Sequence, residues 1–154
     1  MKIKVAWIGK TKEPAIQSLT DEYLKRISRY VPIEGAALRD ETALLEMCER
    51  ASPAKPKSSG IAKSTLVIMD SRGKELSSEQ LAAFLRTYQD RNPLPLVFAV
   101  GPADGFSAQS RDAAQHIFSL GKMTLAHELA RVVLLEQIYR GFTILKGHPY
   151  HSGH

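Results

Sequence analysis

The sequence has few of the features that mark secreted, membrane-spanning or disulfide-rich proteins. Its 154 residues include one cysteine, Cys48, which excludes an internal disulfide and a cysteine-based zinc cluster and is typical of a reducing setting. No stretch approaches the roughly 20 consecutive apolar residues that cross a bilayer. The alternating segment 1–9 is too short for a signal peptide and has the pattern of a strand. The sequence therefore predicts a cytoplasmic protein.

The common nucleotide-binding and hydrolase motifs are also missing. There is no G-x-x-x-x-G-K-[ST] phosphate loop, no G-x-G-x-x-G after the first strand and no G-x-S-x-G elbow. A zincin helix would need a second histidine four residues after His127, where Arg131 stands. His148 and His151 have no carboxylates near them in the sequence, so we expect no metal site.

The composition is that of a soluble globular domain. Hydrophobic residues make up 44% and charged residues 24%, which excludes a disordered or fibrous chain. Lys and Arg number 21 against 16 Asp and Glu, giving a net charge of +5. A basic balance favours polyanionic partners such as RNA, although it also serves solubility alone. The length predicts one domain over 1–154, with 51–60 as an exposed loop.

Apolar periodicity predicts that strands alternate with helices along the chain. The predicted strands have nearly continuous apolar runs, as strands covered on both faces do, so the fold class is α/β with a mainly parallel sheet flanked by helices. Ser77 and Gln80 form a capping-box pattern at the start of one helix. The predicted strands are 2–8, 33–38, 66–70 and 94–100, and the predicted helices are 14–30, 41–50, 77–89, 107–117 and 126–142, with 118–125 irregular.

Two loops are candidates for ligand binding. Segment 100–107 follows a buried strand and holds Gly101 and Gly105, which let the backbone turn sharply; Ser107 is placed to cap the next helix. In open α/β sheets, ligands collect outside the carboxyl ends of the strands. Segment 119–125 places apolar side chains on irregular backbone, which suits an adenosine-type ligand. Each loop also has a plainer interpretation, as an ordinary connection between elements.

The last helix and the tail carry most of the remaining chemistry. The helix is apolar almost all round, which indicates a core or subunit-interface position. Glu136 and Arg140 have the spacing of a helical ion pair. Arg131 has no acidic residue four positions away, although Glu128 stands three before it. We expect Arg131 to serve a ligand or an RNA phosphate, because an unpaired buried guanidinium is costly. The tail, 147–154, is either a frayed terminus or a flap that covers a base.

Three segments of the C-terminal half make the chain recognisable. Segments 123–131, 134–140 and 148–151 closely resemble the RlmH family, small SPOUT-class methyltransferases that modify a pseudouridine of 23S rRNA. The similarity also includes the opening strand, segment 23–26 and the strand ending at Asp70, and it is strongest from Leu96 onward. The combination of length, order and spacing is specific.

The resemblance implies a fold, a partner and a cofactor. The fold would be a SPOUT domain with a C-terminal trefoil knot, and the protein would be a homodimer. The substrate would be N3 of a pseudouridine, in the large-subunit stem-loop that faces the decoding centre of assembled ribosomes. S-adenosylmethionine would contact the positions of Met69, Gly101, Leu120, Gly121, Lys122, Met123, Thr124 and Leu125.

We add hypotheses about the chemistry. N3 of pseudouridine must lose a proton as it takes the methyl group. Arg131 is a candidate for stabilising the imide anion, and His127 or His151 for accepting or orienting the proton. Tyr150 is a candidate for stacking on the base or hydrogen-bonding to it. We expect the tail of one subunit to reach the cofactor of the other.

The chain departs from the family pattern at two positions. Pro102 follows Gly101 where family members usually have a second glycine, which removes an amide donor, and Ala126 stands where a proline usually precedes the histidine. Two alternatives remain open at this point. One is a SPOUT enzyme with another RNA target, such as tRNA, and the other is a non-enzymatic RNA-binding module with a decayed pocket.

Overall fold

The computed structural model describes residues 1–49 and 63–152, so the predicted loop at 51–60 lies outside the described residues. None of the described helices is both long and apolar enough to span a membrane. Strands and helices alternate along these residues. Their bounds are β1 (Ile3–Ile8), α1 (Pro14–Ile27), β2 (Ile33–Leu38), α2 (Glu41–Met47), β3 (Thr65–Glu75), α3 (Ser78–Arg91), β4 (Leu96–Val100), α4 (Ala108–Ala113), β5 (His116–Ser119) and α5 (His127–Leu145).

The strands form one sheet in the order β2-β1-β4-β3-β5, and every neighbouring pair is parallel. Parallel neighbours need crossover connections, and here helices make them and cover both faces of the sheet. The predicted α/β class is therefore confirmed. Because all strands point the same way, their carboxyl ends share one edge of the sheet.

The central strand β4 shows how the two faces are built. Leu96, Phe98 and Val100 lie in a core with side chains of α1, α3 and α5, whereas Val97 and Ala99 lie in a second core with side chains of α2. Successive side chains of a strand point to opposite faces, so an uninterrupted apolar run supplies both cores. Burying a side chain as large as Leu or Phe contributes roughly 1.5–3 kcal/mol.

Most helix starts follow local signals in the sequence. The predicted capping box at α3 is present, with Gln80 N donating to Ser77 Oγ at 3.1 Å and Ser77 N donating to Gln80 Oε1 at 2.8 Å. Ser107 caps α4 as predicted, accepting from Ser110 N at 3.3 Å. These contacts satisfy amide groups that the helix itself leaves unpaired.

Helix α1 is capped from the other end of the chain. Its N-cap residue, Glu13, makes no capping bond with its own side chain. Instead Oε1 of Glu128, in the first turn of α5, accepts from Lys12 N at 2.9 Å and from Glu13 N at 3.4 Å. The contact fixes the start of α5 against the loop between β1 and α1.

The prediction of a helix over 107–117 was wrong in its second half. Helix α4 ends at Ala113, Ala114 is extended, and β5 follows as an edge strand beside β3. The cause is tertiary: Gln115 exchanges hydrogen bonds with Leu66 of β3, donating from its backbone N to Leu66 O at 2.9 Å and accepting from Leu66 N at 2.7 Å. The boundaries of other helices differ less, with α1 ending at Ile27 and α5 extending to Leu145.

Candidate functional site

A cavity of about 370 Å³ opens at the carboxyl edge of the sheet. Its walls are an excursion within β3, the loops that follow β4 and β5, and the first turn of α5. A volume of this size lies within the range of small-molecule sites, roughly 300–1,000 Å³. Lys122 is exposed and does not line the cavity. The other seven predicted cofactor residues do: Met69, Gly101, Leu120, Gly121, Met123, Thr124 and Leu125.

One wall is an excursion from strand β3. Met69 and Lys74 both pair with Phe118 of β5, so residues 70–73 leave the ladder between them. Gly73 permits the return, because a Cβ at this position would lie 2.7 Å from the carbonyl carbon and oxygen of Ile117. The excursion places Asp70, Ser71 and Arg72 in the cavity lining. None of the three was among the residues predicted from the sequence; the signal was their position directly after a buried strand.

A second wall is the loop after β4. Gly101 has no room for a side chain, since a Cβ there would lie 2.7 Å from the buried ring of Phe106. Gly105 has a φ of +82° and donates its N–H to the carbonyl of Pro102 at 2.9 Å, closing a turn. Pro102 lacks an amide donor, but its carbonyl oxygen organises the loop that lines the cavity.

A third wall is the segment between β5 and α5. Ser119 Oγ accepts from Gly121 N at 3.1 Å and donates to Gly121 O at 2.8 Å. Gly121 has a φ of +137°, in the region that only glycine adopts readily. The side chain of Met123 is 85% exposed, and Leu125 and Leu129 are exposed as well. This segment and the first turn of α5 therefore expose apolar side chains to solvent.

The first turn of α5 brings His127 and Ala130 into the cavity lining, but not Arg131. Arg131 is 1% exposed, and its guanidinium carbon lies 4.0 Å from the centre of the Trp7 ring. Burial lowers the pKa of Arg131, an effect opposed by the negative charge of Glu128. Arg131 is therefore a buried cation behind the cavity wall.

Threonine hydroxyls supply the hydrogen-bond partners of this cation. Arg131 Nη1 donates to Thr11 Oγ1 at 2.8 Å and to Thr20 Oγ1 at 3.3 Å, while its Nε has no hydrogen-bond partner among the described residues. The predicted lack of an acidic partner agrees with the structure: within 1–49 and 63–152, Arg131 makes no ion pair with a carboxylate.

The tail packs against its own chain. Tyr150 Oη donates to Glu136 Oε2 at 2.9 Å, and Glu136 forms the predicted ion pair with Arg140 at 2.8 Å. Burial and the neighbouring Glu136 carboxylate raise the pKa of Tyr150. His151 lies between Arg140 Nη1, 2.9 Å from its Nδ1, and Glu79 Oε1, 2.7 Å from its Nε2. Since arginine only donates, Nδ1 accepts and Nε2 carries the proton.

The structure thus separates the predicted site residues into two groups. One group surrounds the cavity at the start of α5, and the tail group lies along the second half of that helix. Tyr150 contacts Glu136 and His151 contacts Arg140, which are about 14 Å and about 20 Å along the helix from His127, so neither tail side chain lines the cavity of the same chain.

The cavity suits the expected cofactor, a nucleoside joined to an amino acid through a sulfonium. Val100, Leu120 and Leu125 supply apolar wall, and Arg72 supplies a fixed charge at one side. At Gly105 and Gly121 no atom lies within 4 Å of the position of a Cβ, so a ligand has room to approach the backbone.

Comparisons with known proteins agree with this arrangement. A family described as "Predicted SPOUT methyltransferase" matches residues 1–151. The chain is 54% identical to the "Ribosomal RNA large subunit methyltransferase H" of Koribacter versatilis (strain Ellin345), covering all of both chains. It is 43% identical to the protein of the same name from Geobacter sp. (strain M21), covering 98% of this chain and 99% of that one.

A solved structure shares the fold. It is a probable methylase family protein from Haemophilus influenzae Rd KW20, with a TM-score of 0.59 and 9% sequence identity. The match covers 96% of this chain and 69% of the other. At this identity the likeness concerns the fold alone.

Proposed function

The chain belongs to the SPOUT methyltransferase family, and on that premise we propose that it methylates N3 of a pseudouridine in 23S rRNA. The resemblance to the RlmH family is confirmed: the chain is an rRNA methyltransferase, and its cofactor is S-adenosylmethionine. The proposed acceptor is the stem-loop that faces the decoding centre in assembled ribosomes, and the proposed location is the cytoplasm. The observation that carries the proposal is the cavity lined by seven of the eight expected cofactor residues.

The proposed enzyme is a homodimer whose active site is shared between subunits. Tyr150 and His151 do not line the cavity of their own chain, and their partners Glu136 and Arg140 are about 14 Å and about 20 Å along α5 from His127. In the proposed dimer, the tail of the second copy serves the cavity instead. The exposed apolar side chains of Leu19, Met123, Leu125 and Leu129 support an interface near the cavity end of α5. The proposal also includes a trefoil knot in the C-terminal part of the chain.

In the proposed mechanism the chain contributes mainly orientation. S-adenosylmethionine, when bound, supplies a methyl group already activated by a sulfonium. The residues that line the cavity would hold the donor, and the base must be placed in line with the methyl group. In the composite site, the tail of the second copy provides Tyr150 to stack on the base or hydrogen-bond to it.

The N3 proton needs an acceptor, and the resulting imide anion needs a positive charge. His127 lines the cavity and is the acceptor that this chain itself supplies. His151 of the tail is the alternative, and it can accept the proton only when its Nδ1 is released from Arg140. Arg131 lies one helical turn after His127, on the same face of α5. Its charge is not neutralised by direct contact with a carboxylate of the described residues, so it is available to stabilise the anion through the cavity wall.

The acceptor is tested by incubating the enzyme with labelled S-adenosylmethionine and three RNAs: assembled ribosomes, naked 23S rRNA and free tRNA. We expect label in ribosomes, and mass spectrometry of nuclease digests to identify N3-methylpseudouridine. Preferential labelling of tRNA would support the alternative SPOUT activity instead. Calorimetry with the demethylated product, S-adenosylhomocysteine, measures the affinity of the cavity for its ligand independently of the RNA acceptor.

The shared site is tested by mixing two inactive variants. One carries Gly121→Val in the cavity wall, and the other lacks residues 150–154. A mixed dimer has one intact site, so an equal mixture should recover about a quarter of the wild-type activity if the subunits exchange freely. A mixture as inactive as its components would mean that each subunit uses its own tail.

A further inference from the structure

We propose that Arg72, held by Asp70 at the rim of the cavity, binds a backbone phosphate of the RNA strand that carries the target base. The inference rests on the proposed function and adds to it a specific RNA contact. Arg72 belongs to the β3 excursion that lines the cavity, and it lies outside the residues expected to hold the cofactor.

Asp70 fixes Arg72 with three hydrogen bonds. Asp70 Oδ1 accepts from the backbone N of Arg72 at 2.8 Å and from its Nε at 3.0 Å, and Oδ2 accepts from Nη2 at 2.9 Å. The side chain of Asp70 is 4% exposed, whereas that of Arg72 is 62% exposed. A buried carboxylate therefore holds a guanidinium that faces solvent. Because the arginine side chain is already ordered in the free protein, binding an anion costs little further conformational entropy.

The held guanidinium retains donors for an anion. Arginine has five N–H donors, and the two bonds from its side chain to Asp70 use two of them. The remaining three, on Nη1 and Nη2, have no acceptor within residues 1–49 and 63–152. Planar pairs of N–H groups match the oxygens of a phosphate, which is why arginine is common in phosphate recognition.

The charges around Asp70 keep its carboxylate ionised, so that it holds Arg72 in place. The positive charges of Arg72 and Arg111 both act on the Asp70 carboxylate and keep its pKa below the ordinary value, with the Arg72 hydrogen bond as the largest cause. Arg111 acts on the carboxylate of Glu41 as well, so Arg72 is the guanidinium that faces the cavity. The lining also holds the exposed carboxylate Asp104.

The position of Arg72 favours RNA over the cofactor as the source of the anion. An exposed group at the rim is reached first by a strand that arrives from solvent. The backbone of that strand carries a phosphate at every nucleotide, so one phosphate lies beside any base placed at the cavity. The carboxylate of S-adenosylmethionine is the competing occupant, and the experiment separates the two.

The test compares Arg72→Gln with wild type in two assays: equilibrium binding to undermethylated ribosomes, and kcat/KM for their methylation over a series of KCl concentrations at fixed Mg²⁺. Loss of one charge-assisted contact should weaken binding and raise KM about tenfold. The slope of log kcat/KM against log[KCl] should fall by about one. The Kd for S-adenosylhomocysteine should stay within about twofold of wild type.

Two further variants separate the charge of Arg72 from its placement. Arg72→Lys keeps the charge, so it should retain the salt slope but lose part of the affinity, because lysine cannot form the paired contact. Asp70→Asn should weaken ribosome binding less than Arg72→Gln while leaving the salt slope near that of wild type. Arg91→Gln is the matched control; Arg91 is exposed at the end of α3, at the opposite edge of the sheet, and its replacement should leave both assays unchanged.

Equal ribosome binding and equal salt slopes for wild type and Arg72→Gln would overturn the inference. A weakened Kd for S-adenosylhomocysteine with unchanged ribosome binding would also overturn it, and would assign Arg72 to the cofactor. A wild-type enzyme that binds ribosomes but transfers no methyl group to them would instead overturn the proposed acceptor.

Discussion

The two ends of helix α5 carry two unlike surfaces. At its start the chain presents an open cavity, glycines in unusual backbone conformations and exposed apolar side chains such as Met123. Along its second half, Glu136, Arg140, Tyr150 and His151 form a closed network in which the charged and aromatic groups have partners within the same chain. The apolar side chains at the start of the helix are exposed unless other molecules cover them, whereas the polar groups of the network already have partners within the chain.

The difference indicates that the two regions of α5 have separate roles in the proposed site. The cavity end needs ligand and partner surface to cover it, so its residues set cofactor affinity. The tail end needs no ligand to be ordered, so it is a preformed surface that a second copy can present to a base. Substitutions at the two ends should therefore change different measured quantities.

Gly121→Val should have the largest effect. Valine is strained at a φ of +137°, and its side chain would point from the cavity wall into open space. We expect the Kd for S-adenosylhomocysteine to rise at least about 100-fold by calorimetry and methylation to be lost.

Gly147→Val is the matched control, since Gly147 also has a positive φ, +69°, and open space, but lies just after α5. Both variants should lose about 1–3 kcal/mol of unfolding free energy, and only the first should lose cofactor affinity. Equal loss of affinity in both would show that strain alone was responsible.

His151→Ala tests the tail end. It removes the contacts with Arg140 and Glu79 without touching the cavity lining. We expect kcat/KM for ribosomes to fall roughly 10–100-fold, since an imidazole that orients or accepts a proton contributes on this scale or above. The Kd for S-adenosylhomocysteine should remain near that of wild type. Parallel losses in activity and cofactor affinity would remove the distinction between the two ends.

Asp70→Asn should remove the pH dependence that the Asp70–Arg72 pair gives to the free energy of unfolding. The hydrogen bond with Arg72 keeps the pKa of Asp70 below its ordinary value, so the pair stabilises the fold fully above the unfolded-state pKa of about 4. This contribution disappears as the pH falls through the lower, folded-state pKa.

Urea unfolding at neutral pH should therefore show Asp70→Asn to be less stable than wild type by about 1–2 kcal/mol, and the gap should close in strong acid. A gap of constant size at every pH would mean that the effect is not electrostatic.

Ala126→Pro should have the smallest effect, at the boundary between the cavity loop and α5. Ala126 is the N-cap residue of α5, with a φ of −56° that proline also adopts, and its side chain makes no capping bond. Proline there restricts the unfolded chain, so we expect thermal unfolding to show a gain of about 0.5–1 kcal/mol. Destabilisation would indicate that the amide of Ala126 is needed.

The sequence was a good guide wherever a local pattern determines the structure. The apolar run of β4 and the Ser77 capping box are examples, because neighbours in the chain supply the whole signal. Strand β5 was missed because its four residues become a strand only by pairing with β3, more than 40 residues earlier. The excursion at 70–73 was missed for the same reason, since it exists only as a mismatch between two paired strands.

The surroundings of Arg131 show which part of the site could not be predicted from the sequence. The sequence shows no acidic residue four positions from Arg131, and within the described residues Arg131 makes no ion pair, although the charge of Glu128, three residues earlier, acts on it. Its actual partners, Trp7, Thr11 and Thr20, are more than 100 residues away, and no helical spacing connects them to it. The seven cavity residues came from resemblance to a family, which supplies the long-range information that periodicity lacks.

The cap that Glu128 provides for α1 bears on the order in which the protein matures. Synthesis makes α1 early, but the carboxylate that completes its first turn emerges more than a hundred residues later. Until then Lys12 and Glu13 have only water for their amides, and the threonines that receive Arg131 lack their cation. These contacts between the loop before α1 and the start of α5 can therefore form only after the last helix has been synthesised.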